Sequence, residues 1–209
     1  MMDIAQNTQE WREARAGHIT GSRMCDVLAF GKRDGKPLKA RTDYIGELVA
    51  ELLTGEPREQ VRAKPLDWGH DVEEAARAAY EAETGEIVQL VGFIEHPLLP
   101  YIGCSPDGLI GADGQQQIKC PQNPAIHIAT LHDGMPDEHI AQVQGELFVT
   151  GRAWSDFVSF DPRMPPHLRL YRQRVQRDDK YIATLADACA SLWEEVQGYM
   201  RYLQERAAA

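Results

Sequence analysis

Three strand-like runs follow one another, "EIVQLVGFIEH", "YIGCSPDGLIG" and "QQQIKC", with helical patterning on both sides. This order constrains the fold more than any other feature. Before the runs come "TQEWREARAG", closed by Gly17; "DYIGELVAELLTG", which Thr42 can cap; and "WGHDVEEAARAAYEAETG". In the second of these, Ile45, Leu48, Val49, Leu52 and Leu53 recur at helical spacing. After the runs come a helix in "PDEHIAQVQGELFVTG", strands in "AWSDFVSF" and "LRLYRQRV", and a long helix from about Asp178 to Glu205. Such an order predicts an α/β fold, a central mixed β-sheet flanked by α-helices, with residues 1–209 as one domain.

The second and third runs form a hairpin around Asp113-Gly114. Its residues are those of a metal-dependent hydrolase: Asp107, then position 117, Ile118 and Lys119. A hard cation bound by carboxylates neutralises a phosphodiester and generates hydroxide, and a nearby Lys orients water or stabilises developing charge. A further carboxylate is expected from Glu73 or Glu74 in the third helix. Pairing Ile110 with Gln115 would place Asp107 opposite Ile118, on the wrong face for Gln117 and Lys119. A bend or bulge near Asp107, between Pro106 and Gly108, is therefore expected. By itself this pattern also fits a surface hairpin with a turn Asp and an exposed Lys.

Composition narrows the class. With 43% hydrophobic and 26% charged residues the chain is globular in type. No apolar run reaches membrane-spanning length and the N-terminal residues lack signal-peptide character, so a cytoplasmic protein with no membrane partner is expected. Four scattered cysteines without a C-x-x-C pair predict buried free thiols, and the seven histidines show no zinc spacing. The net charge of −10 disfavours an open basic DNA-binding face but not a local one. Phe30–Thr42, rich in Gly and basic residues, reads as an exposed loop, either a solvated connection or a phosphate contact. Arg172 and Arg174 share a strand face, best read as a solvated edge.

The blocks "WREARAGHITGS", "LDWGHDVEEAAR", "CSPDGL", "IKCP", "AQVQGELFVTG" and "SFDPRM", in this order, resemble the lambda-exonuclease-like, YqaJ-type viral recombinases of the PD-(D/E)xK nuclease superfamily. The resemblance runs from Trp11 to the last helix and implies a restriction-endonuclease-like core. It further implies a phage or prophage 5′→3′ exonuclease acting on linear double-stranded DNA. Such an enzyme releases mononucleotides and leaves a 3′ single strand for recombination. The implied cofactor is Mg2+, with Mn2+ as a substitute; the implied partners are two further copies in a homotrimeric ring and a single-strand annealing protein. By the same resemblance, Glu73, Asp107 and the Ile118 carbonyl are metal ligands and Lys119 stands beside the nucleophilic water. Gln142 lies close to the metal. Arg15, Ser22 and Ser105 hold the 5′-phosphate of the DNA end, and Leu66 is a wedge at the terminal base pair. Gln117 falls where the family has its second carboxylate, so the expectation is a weakened enzyme. A catalytically silent DNA-end-binding scaffold and an endonuclease of the same superfamily are the alternatives.

Overall fold

The computed structural model describes residues 5–57 and 64–208, without the side chains of 64–67, 69–71, 207 and 208. Helix α1 (Gln9–Arg15) is capped by Thr8, whose hydroxyl accepts from the Trp11 N–H, and the chain turns away at Gly17 with φ +74°. Strand β1 (Ile19–Thr20) and the short α2 (Met24–Val27) lead to α3 (Lys39–Thr54) and α4 (Lys64–Thr84). Then come β2 (Val88–Gln89), β3 (Ile94–Glu95), β4 (Ile102–Cys104), β5 (Gly108–Ile110) and β6 (Gly114–Lys119). Helices α5 (Pro124–Asp133) and α6 (Ile140–Thr150), strands β7 (Trp154–Phe160) and β8 (Leu170–Gln176), and α7 (Asp179–Ala208) complete the order.

The α/β class agrees with expectation, but the strands divide between two sheets. A three-stranded sheet has the order β1-β4-β3, and a five-stranded sheet the order β2-β5-β6-β7-β8. Each is mixed, with β1 parallel to β4 and β6 parallel to β7. The run read as one strand after α4 therefore breaks into β2 and β3, which pair in different sheets. One apolar core lies between α2, α3, α6, α7 and the smaller sheet, centred on Met24, Leu48, Ile102, Leu185 and Leu192. A second packs Ala76 and Tyr80 of α4 onto Ile110, Ile118 and Val158 of the larger sheet.

Three local expectations need correction. Helix α3 starts before Thr42, whose hydroxyl donates back to the Leu38 carbonyl instead of capping. The basic stretch before it is not wholly solvated: Arg41 is fully buried, ion-paired with Glu195 of α7 at 2.9 Å, and this contact draws its end into the helix. Among the cysteines, Cys104 and Cys189 are buried free thiols, while Cys25 is exposed.

The edge strand β8 carries more than solvated charge. Arg174 grips buried Asp156 of β7 in two hydrogen bonds of 2.8 and 2.9 Å, Arg172 lies 3.6 Å away, and the Tyr80 hydroxyl donates at 2.7 Å. These donors hold the Asp156 carboxyl below its usual range against the opposing effect of burial. Asp156→Ala is expected to cost on the order of 2–3 kcal/mol, less than a fully enclosed pair because both arginines are partly exposed. Thermal unfolding should show a fall of roughly 5–10 °C, and an unchanged midpoint would refute this account.

Candidate active site

The β5–β6 hairpin turns through Gly111–Asp113, with Gly111 at φ +52°. Ile110 pairs with Gly114, Leu109 with Gln115 and Gly108 with Gln116. This register is one residue tighter than expected from the sequence. Pairing ends at Gly108, and the Asp107 N–H donates to the carbonyl of the same Gln116 at 3.1 Å, which leaves the Asp107 side chain beside Gln117. Asp107, Gln117 and Lys119 thus converge through the tighter register together with the expected bend in the chain at Asp107, where Asp107 and Gly108 both face Gln116.

Their polar groups form one chain of hydrogen bonds. Lys119 Nζ donates to Gln142 Oε1 of α6 at 3.0 Å. Gln142 Nε2 then donates to Gln117 Oε1 at 2.8 Å and to Glu146 Oε1 at 2.9 Å. Gln117 Nε2 in turn donates to Asp107 Oδ2 at 2.6 Å and, more weakly, to the Ile118 carbonyl at 3.4 Å. The Ile118 N–H also donates to Asp107 Oδ2, at 2.5 Å. Glu73 of α4 lines, with Asp107, Arg77, Gln6, Asn7 and Val91, a cavity of about 480 Å³. Burial, reinforced by the charge of Glu73, raises the Asp107 carboxyl to about 7. Burial and the charge of Asp107 raise Glu146 to about 8.

A second cluster adjoins the first. The Arg15 guanidinium lies over the Trp11 ring, 4.1 Å from its centroid, and donates to Ser22 Oγ at 3.4 Å. Trp11 Nε1 donates to Ser105 Oγ at 2.9 Å. Arg15, Ser22 and Ser105, drawn from three separate segments, are therefore neighbours, and burial lowers the Arg15 pKa. Leu66 belongs to α4, but its side chain lies outside the described residues.

Two participants were missed in the sequence. Trp11 stands one helical turn before Arg15, a spacing that puts ring and guanidinium on one face. Glu146 stands one turn after Gln142 on α6, and an acid in a helix ordinarily reads as solvent-facing. Among the described residues no three His, Cys, Asp or Glu side chains are grouped closely enough to hold a metal ion. The oxygen donors present, from Asp107, Glu73 and the Ile118 carbonyl, nevertheless suit a hard cation.

An α/β fold carrying an Asp–Lys hairpin beside a conforming helix is that of a PD-(D/E)xK-like nuclease. The chain belongs to the YqaJ-like viral recombinase family, whose pattern matches residues 10–153. It is similar to the alkaline exonuclease LHK-Exo of Laribacter hongkongensis, with 40% identity, 96% of this chain and 98% of that one covered, and a TM-score of 0.87. The same enzyme in complex with dAMP gives 39% identity over the same shares, with a TM-score of 0.88. A phage-related exonuclease from Haemophilus somnus 129PT shares the fold at 15% identity, with a TM-score of 0.69 over 89% of this chain and 96% of that one. No curated protein is similar enough to the chain to count as a match.

The raised carboxyls set a pH dependence. Folded Asp107 and Glu146 retain protons that the unfolded chain releases from about pH 4 upward, so stability falls as pH rises from there toward 8. Melting in EDTA is expected to drop by several °C between pH 5.5 and 8.5, and by less in Asp107→Asn. Equal pH slopes in the two proteins would show that Asp107 does not hold the proton.

Proposed function

We propose that this chain is a Mg2+-dependent 5′→3′ exonuclease of linear double-stranded DNA, weakened by Gln117. The observation that carries the reading is the hydrogen-bonded chain from Lys119 to Asp107, in a fold shared with an exonuclease at 40% identity. The complex of that relative with dAMP supports a mononucleotide product for this chain as well.

In this reading Asp107, Glu73 and the Ile118 carbonyl would hold Mg2+, or Mn2+ in its place. The cation would supply charge neutralisation and an acidified water. Lys119 positions the attacking water and steadies the charge that develops, and Gln142 holds Lys119 in place. Arg15, with Ser22 and Ser105, takes the 5′-phosphate. A guanidinium already seated on Trp11 loses little freedom on binding it. Leu66 remains the proposed wedge. A homotrimeric ring around DNA, a single-strand annealing partner and a phage or prophage setting in the bacterial cytoplasm are proposed on the resemblance to the family alone. No helix among the described residues is long and apolar enough to cross a membrane.

Gln117 does more than omit a charge. Its amide nitrogen donates to Asp107 Oδ2 and the Ile118 carbonyl, two groups assigned to the cation. A carboxylate there would repel Asp107 and so favour a cation between them; the amide satisfies Asp107 without one. Gln117→Glu is therefore expected to raise Mg2+-dependent release of mononucleotides from linear 5′-phosphorylated duplex about 100-fold or more. An inert Gln117→Glu variant would instead favour the silent scaffold, and cleavage of circular duplex an endonuclease.

Arg15→Ala, placed in the Gln117→Glu background, should reduce the preference for 5′-phosphorylated over 5′-hydroxyl ends about tenfold. An unchanged ratio of rates on the two substrates would remove Arg15 from the phosphate pocket.

A further inference from the structure

Glu146 is 1% exposed, and its Oε2 has no hydrogen-bond partner among the described residues. Buried carboxylate oxygens are nearly always partnered, so an orphan in an active site asks for an unseen water or ion. Its other oxygen accepts from Gln142 Nε2, the atom that also holds Gln117 Oε1, so Glu146 and Gln117 are joined through one amide. The charged groups around it are Asp107, Lys119 and Arg15. The hydrogen bonds of Lys119 and Arg15 among the described residues go to Gln142 and Ser22, and Glu146 accepts from Gln142.

The seat is fitted closely. A side chain at Gly21 would place its Cβ 3.0 Å from Glu146 Cγ and 3.5 Å from Oε1. Gly21 thus leaves room for this carboxylate against the turn that carries Ser22. A solvent-facing acid would need no such accommodation.

We propose that Glu146 supplies the negative charge that Gln117 does not, acting on the divalent cation from outside its direct ligands. Cation binding would displace to solvent the proton that Glu146 keeps in the metal-free protein, and its Oε2 would then accept from a water held by the cation. An outer position agrees with the absence, among the described residues, of three acidic side chains grouped tightly enough to bind a metal directly. Magnesium suits this arrangement because it keeps several of its waters when protein-bound. Glu146 is accordingly a positioning residue for the metal. The inference rests on the metal site assigned to Asp107 above.

The test is equilibrium binding of Mn2+ alone, followed by calorimetry without DNA, so that catalysis is not the readout. In the Gln117 parent, Glu146→Gln should weaken Mn2+ binding about tenfold or more. In the Gln117→Glu background the same change should cost less than about threefold, because the charge is then supplied by β6. Equal losses in both backgrounds, or none in the parent, overturn the proposal. Asp107→Asn separates the two levels: should it leave Mn2+ affinity unchanged, the metal site itself is misassigned. Loss with Asp107→Asn but not with Glu146→Gln sinks only the role of Glu146. Melting in EDTA controls for folding, with Glu146→Ala as the second variant; if neither variant folds, Glu146 is structural and the proposal is wrong.

Discussion

The orientation of the site depends on one chemical fact, that a lysine ammonium only donates. Lys119 therefore faces the oxygen of Gln142, not its nitrogen. That turns the Gln142 amide nitrogen toward Gln117 and Glu146, which makes Gln117 present its own oxygen to Gln142. The Gln117 nitrogen is left pointing at Asp107. With Glu at position 117 the same sequence of constraints would end in two carboxylates facing each other, an arrangement that calls for a cation or a shared proton. With Gln it ends in a satisfied hydrogen bond. A single amide thus leaves a satisfied polar network where a carboxylate would leave electrostatic tension.

Most of this network was legible in the sequence, though not its geometry. Asp107, Gln117 and Lys119 were identifiable from spacing, and Gln142, Arg15, Ser22 and Ser105 from the family blocks around them. The hairpin register was not, because it depends on whether the turn is Gly111–Asp113 or one residue longer, and both are compatible with an Asp-Gly signal. Helix α5 was also passed over, although Asn123 caps it and Pro124 occupies its first turn. Strand β1, at two residues, is too short to leave a periodic trace and exists through its pairing with β4.

Charge was the least readable layer. Arg172 and Arg174 look in sequence like a solvated edge, yet the carboxylate they face, Asp156, is fully buried and Tyr80 reaches it from α4. Arg41 sits in a stretch of basic surface residues and is itself completely enclosed. Such burial is set by partners distant in sequence, Tyr80 in one case and Glu195 in the other. Local pattern carries no information about either.

The two polar clusters are adjacent because α6 approaches the segment after β1 unusually closely. At Gly145 an added Cβ would fall 2.5 Å from Met24 Cγ, and at Gly21 it would fall 3.0 Å from Glu146 Cγ. Two glycines on facing surfaces let the helix that carries Gln142 and Glu146 settle against the turn that carries Ser22. Glu146 consequently lies within electrostatic reach of both Asp107 and Arg15. Anything that changes its charge acts on the hairpin and on the Arg15 pocket together. A side chain at Gly145 would have to displace Met24, and one at Gly21 would force Glu146 to give by a few tenths of an ångström. The chemistry of the hairpin and the grip of the Arg15 pocket are therefore linked through packing, and the small residues that permit it are as much part of the site as the groups they bring together.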